Sequence, residues 1–124
     1  MPGVDFWVQW RLYVSMADLR AQLPLATTTI GIDIDETATL TTGPNWASFT
    51  LTRRADGARI GIGRGQTMGD GSELVLSPGP ARTEADLIDL NRAAVVLYTR
   101  LVEKGAIDPP SPLERPRPPQ PAGM

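Results

Sequence analysis

The chain has 124 residues, a net charge of −2, 12 Gly and 12 Pro, and neither Cys nor His. That length holds one domain core, and the two absences exclude disulfides, thiolate nucleophiles, His-based triads and the ordinary zinc sites. The slightly acidic balance argues against a binder that works by neutralising nucleic-acid phosphates.

Residues 4–16 place Val4, Phe6, Val8, Trp10, Leu12, Val14 and Met16 on one face of a period-2 pattern. Asp5, Trp7, Gln9, Arg11, Tyr13 and Ser15 fall on the other. This alternation predicts a half-buried strand. Phe6, Trp10 and Tyr13 also sit at helical spacing, but the β-branched and aromatic content favours the strand. Phe6, Trp7, Trp10 and Tyr13 are four of the seven aromatics. A strand that is apolar on one face and partly aromatic on the other suits a protein interface, for example pairing at a sheet edge with another copy. The alternative is an internal strand under a helix. No basic segment precedes it, so a signal peptide is not expected. No 18-residue apolar run exists to form a membrane-spanning helix.

Ser15 with Asp18 has the form of a helix cap. It predicts a short helix from Met16 to Leu23, stopped by Pro24. From Thr27 the pattern becomes that of strands. Ile30, Ile32 and Ile34 alternate with Gly31, Asp33 and Asp35, and Thr37 to Thr42 continues in extended form. Gly43-Pro44-Asn45 reads as a turn, and Trp46 to Arg54 as a strand with Phe49 and Leu51 on one face. Asp56-Gly57 supplies the positive φ of a hairpin turn, after which Arg59 to Arg64 returns. Gln66 to Ser72 reads as a loop and Glu73 to Ser77 as a last short strand.

Thr83 with Asp86 caps a long helix over 84–104, with acids at its N-terminus and Arg100, Lys104 and Gly105 at its end. Leu87, Leu90, Ala94, Leu97 and Leu101 form its apolar stripe, and Ile88, Val95 and Val102 a parallel row that predicts a broad buried face. Residues 109–121 hold seven Pro in 13 positions. They cannot join a sheet or a helix interior and are expected to be extended.

Four features invite a functional reading. Gly61, Gly63 and Gly65 alternate on one strand face, with neither the dinucleotide-binding spacing nor the Lys of a phosphate loop. Close packing of Trp46 or of the long helix against them is the simpler reading. Asp33, Asp35 and Glu36 offer oxygen ligands for a hard cation, with Asp70 or Glu73 available to complete a set, but Asp33 and Asp35 alternate with Ile32 and Ile34 as a solvated strand face does. Arg53, Arg54, Arg59 and Arg64 sit on or beside one hairpin and make a patch too small to predict nucleic-acid binding. Arg115, Pro118 and Pro121 have the spacing of a ligand for a PxxP-binding domain; a spacer or a strap lying on a surface is the alternative.

The expected fold is α+β, a single small domain over 1–107. It combines a mostly antiparallel sheet, a short N-terminal helix and a long C-terminal helix packed on one face. Residues 1–15 form an aromatic arm, and 108–124 the Pro-rich tail. The expected function is that of a non-enzymatic structural or interaction protein without a cofactor. It would assemble with itself or other subunits, in the cytoplasm or as a small component of a phage particle. Phe6, Trp7, Trp10, Tyr13, Arg115, Pro118 and Pro121 are the candidate interface residues. A cytosolic adaptor, chaperone-like or immunity-like module is the second reading. A metal-dependent enzyme using the clustered carboxylates is the third.

Overall fold

The computed structural model describes residues 8–37, 43–81 and 83–108. Five strands form one antiparallel sheet: β1 (Val8–Leu12), β2 (Ile32–Thr37), β3 (Trp46–Arg53), β4 (Arg59–Met68) and β5 (Gly71–Pro78). Their order across the sheet is β1-β5-β4-β3-β2. Two helices, α1 (Met16–Ala26) and α2 (Glu84–Glu103), lie on one face, α1 mainly against β2 and α2 against β4 and β5. This is the α+β arrangement that the alternation and the two caps predict.

Both caps form. The Ser15 hydroxyl accepts from the Asp18 amide at 3.2 Å and the Thr83 hydroxyl from the Asp86 amide at 3.1 Å. Each satisfies a donor that the helix start leaves orphaned. Gly57 takes the positive φ (73°) that the β3–β4 turn requires, and the Asp56 carboxylate accepts from the Ala58 amide across that turn.

The core lies between helices and sheet. Leu12, Ile34, Phe49, Leu51, Leu74 and Leu76 rise from the strands to meet Leu19 and Leu23 of α1 and Leu90, Leu97 and Leu101 of α2. Each such side chain contributes on the order of 1.5–3 kcal/mol by leaving water. Gly61, Gly63 and Gly65 line the same face and let the helices approach. A Cβ at Gly61 would stand 2.6 Å from Leu90 Cδ1, and one at Gly65 within 3.2 Å of Leu19 and Met16. The glycine stripe is therefore a packing surface for both helices. Trp46, the other expected occupant, sits on the opposite face of the sheet, because its partner across the ladder is Gln66 and not a glycine.

Several boundaries differ from the sequence reading. Pro24 does not stop α1, which continues to Ala26. Pro24 and Leu25 point outward, while Leu23 and Ala26 are buried on the sheet side. The burial offsets the hydrogen bond that proline cannot make to the Arg20 carbonyl. The expected loop over Gln66 to Ser72 is mostly strand: β4 runs to Met68 and β5 starts at Gly71, leaving Gly69-Asp70 as a tight turn. Cross-strand pairing of Thr67 with Ser72 and of Met68 with Gly71 extends both strands. The row Ile88 and Val95 is 54% and 59% exposed, so the buried stripe of α2 is narrower than expected. Residues 38–42, where the Thr-rich extended segment was expected to continue, lie outside the described residues.

Candidate functional site

Among the described residues, no element covers the second face of the sheet. Strand alternation sends Gln9 and Arg11 of β1 to that face, with Glu73, Val75 and Ser77 of β5. Ile62, Arg64, Gln66 and Met68 of β4 join them, as do Trp46, Ser48, Thr50 and Thr52 of β3 and Asp33, Asp35 and Thr37 of β2. The registers align these side chains into rows. Arg11 opposes Glu73, Glu73 opposes Gln66, and Gln66 opposes Trp46, one row across four strands. The next row runs Gln9, Val75, Arg64, Ser48, Thr37.

The two rows enclose a shallow depression of about 410 Å³ lined by Trp46, Ser48, Arg64, Gln66, Glu73 and Val75. Trp46, Ile62 and Val75 are half-buried, whereas Arg64 and Gln66 are exposed. Glu73 is the unusual member, 8% exposed on a face that no other described element covers. Gln9 Nε2 donates to its Oε2 at 2.5 Å and Gln66 Nε2 to its Oε1 at 3.1 Å. Both donors are neutral amides, so among the described residues these bonds satisfy the carboxylate without compensating its charge.

A second cleft, of about 510 Å³, adjoins the β1 end of the first row. Arg11, Tyr13, Met68, Asp70, Ile107 and Asp108 line it. Here the chain beyond α2 is pinned. The Tyr13 amide donates to the Ala106 carbonyl at 2.7 Å. The Tyr13 hydroxyl donates to the Asp108 carboxylate at 2.6 Å and the Tyr98 hydroxyl to the Asp108 carbonyl at 3.0 Å. The bond to Asp108 and its negative charge hold the Tyr13 phenol above its ordinary pKa.

The features singled out in the sequence are distributed over the molecule. Glu36 lies on the opposite face of β2 from Asp33 and Asp35, as alternation requires. Arg54 pairs with Asp33 at 2.8 Å and Arg20 with Glu36 at 3.1 Å. The Arg54 hydrogen bond holds the Asp33 carboxyl below its usual range. Among the described residues, no three acidic side chains converge as a metal site would require.

The four arginines do not form one patch. Arg53 is sunk among Asp56 (2.7 Å), Asp86 (2.8 Å) and Asp89 (3.0 Å). These bonds, that to Asp56 foremost, raise the Arg53 pKa above its ordinary value, and Arg53 in turn lowers that of Asp56. The cluster fastens the start of α2 to the β3–β4 hairpin. Arg64 alone of the four lines the depression.

Of the aromatic interface candidates, Trp10 faces α2, half-buried, with its ring 5.6 Å from that of Tyr98. Tyr13 is 65% exposed. Among the described strands, the one that carries Trp10 is an edge, paired on one side with β5. Phe6, Trp7, Arg115, Pro118 and Pro121 lie outside the described residues.

The Arg11–Trp46 row is absent from the sequence reading. Period-2 patterning shows which residues share a face within one strand, but which rows line up depends on register, here set by the two hairpins β3–β4 and β4–β5 and by the long-range pairing of β1 with β5. No protein-family model matches the chain, and no curated protein or solved structure matches it. No helix among the described residues is long and apolar enough to cross a membrane.

Proposed function

We propose that this protein is a non-enzymatic interaction and assembly protein, and that the sheet face which no described element covers is where it docks a second copy or another subunit. The observation that carries this reading is the composition of that face: Trp46 and Val75, both half-buried, line one depression with Arg64, Gln66 and Ser48, and the half-buried Ile62 lies farther along β4, opposite Thr50. Half-buried aromatic and aliphatic side chains interleaved with an Arg and neutral polar groups match the composition of protein interfaces. A small subunit of a larger particle, a phage virion among them, is a setting for such a face.

Light scattering across micromolar to millimolar concentrations tests the reading. A mass that rises above that of one chain is expected. Trp46→Ala combined with Ile62→Asp is expected to return it to the monomer with an unchanged circular dichroism spectrum, because neither side chain belongs to the core between helices and sheet. A monomer at every concentration, with residues 109–124 present or removed, overturns it.

A further inference from the structure

We infer that the partner this face takes is a second copy of the chain, packed sheet against sheet about a two-fold axis so that Arg64 of each copy meets Glu73 of the other. The inference rests on the reading of the face as a docking surface and supplies its occupant and geometry.

The first support is charge. Glu73 is buried, its two bonds come from the neutral amides of Gln9 and Gln66, and none of the ion pairs among the described residues involves it. A carboxylate so far out of water costs free energy until a cation joins it. Arg64 lines the same depression as Glu73, one strand and one row away, and is exposed. Arg11 opposes Glu73 across the ladder but lines the other cleft, with Asp70 and Asp108. Asp33 is held by Arg54, and the exposed Asp35 lies at the far edge, on β2. The depression therefore presents one cation and one anion, and a second copy offers the complement of both.

The second support is symmetry. Two residues along a strand advance about 6.8 Å, and neighbouring strands stand about 4.8 Å apart. On that lattice the line from Trp46 on β3 to Val75 on β5 runs at roughly 55° to the strands. A two-fold axis parallel to this line, between two copies and roughly 1.4 Å toward Gln66, has Arg64 on one side and Glu73 on the other, each roughly 4 Å away. Rotation about it lays Arg64 over the second copy's Glu73 and Glu73 over its Arg64, the self-complementary pattern of a two-fold interface. Trp46 and Val75, close to the axis, meet their own counterparts, and the two indoles add an aromatic pair. Arg11 comes beside Ser77 and Ile62 of the second copy, and Asp35 stays outside the overlap. The strands of the two copies cross at roughly 70°, near the orthogonal class of sheet packing.

Cross-linking tests the geometry. The chain has no Cys, so each single-Cys variant carries one thiol. Val75→Cys treated with a short bismaleimide is expected to give a covalent pair. Ile62→Cys is expected to give little, because its counterpart lies roughly 19 Å away across the axis. Equal yields, or the reverse order, overturn the inference.

A charge cycle tests the contact. Arg64→Gln and Glu73→Gln are each expected to raise the concentration at half-association at least about tenfold, since each leaves the other charge unpaired in the interface. The double variant is expected to lose less than the product of the two losses. Losses that simply multiply overturn the inference. So does coupling seen only in the urea midpoint of the dilute monomer, which would place the ion pair within one chain. Either result, in a wild-type chain that still associates and loses association on Trp46→Ala with Ile62→Asp, leaves the docking function standing. A wild-type chain that stays monomeric refutes both.

Discussion

Adding one methyl group at Gly61 tests whether the glycine stripe of β4 exists to seat α2. An alanine Cβ there would stand 2.6 Å from Leu90 Cδ1, 3.3 Å from the Ser77 carbonyl oxygen and 3.6 Å from Leu51 Cβ. Carbon atoms pack best at about 3.5–4.0 Å, so Leu90, itself fully buried, must move by about 1 Å. Two effects favour the variant: about 0.4–1 kcal/mol from stiffening the unfolded chain and about 0.8 kcal/mol from burying a methyl. Overpacking a tight core costs about 1–3 kcal/mol and the approach here is severe, so the cost wins. A net loss of about 1 kcal/mol is expected, read as a fall of about 4 °C in Tm or as a lower urea midpoint at unchanged slope.

Gly63 is the internal control. Its added Cβ would meet Phe49 at an ordinary 3.5 Å and the Leu76 side-chain end at a tight 3.3 Å, which Leu76 relieves by yielding a few tenths of an ångström, so Gly63→Ala should be near neutral. Gly65→Ala falls between the two, because one of its neighbours is the flexible Met16. If Gly61→Ala proves as stable as Gly63→Ala, α2 does not rest on the stripe and the packing argument fails.

Two further predictions concern the ion pairs and the cap that fasten the elements together. Hydrogen bonds from Arg54 and Arg53 hold the carboxyls of Asp33 and Asp56, respectively, below the ordinary carboxylate pKa. Their ion pairs add stability that is complete above the unfolded-state value and is lost as pH falls through the lower folded-state ones. Urea midpoints should therefore drop in acid, and Asp56→Asn should flatten that dependence; a profile identical to wild type would remove Asp56 from the account. Thr83→Ala should cost about 1 kcal/mol through the lost cap on Asp86, and Thr83→Ser should restore most of it. Equal thermal midpoints for the two variants would show that the hydroxyl does not hold the start of α2.

Local chemistry was legible in the sequence wherever a short-range rule decided the outcome. The alternation through Val8, Trp10 and Leu12, the caps at Ser15 and Thr83, the Asp56-Gly57 turn and the Leu90–Leu97–Leu101 stripe each depend on residues a few positions apart. They define the strands, the long helix and the α+β class.

What depends on distant partners was decided only by the tertiary structure. Pro24 stays within α1 because the sheet buries Leu23 and Ala26 beside it. Ile88 and Val95 stay exposed because the layer that α2 packs on is narrower than its apolar surface. Arg53 is bound by acids 33 and 36 positions away. The row from Arg11 to Trp46 exists only through three strand registers, and the one that brings Arg11 opposite Glu73 joins segments 62 positions apart. The physical reason is common to all four. Backbone preference acts over one or two turns, whereas burial and charge pairing depend on whatever surface folding brings opposite.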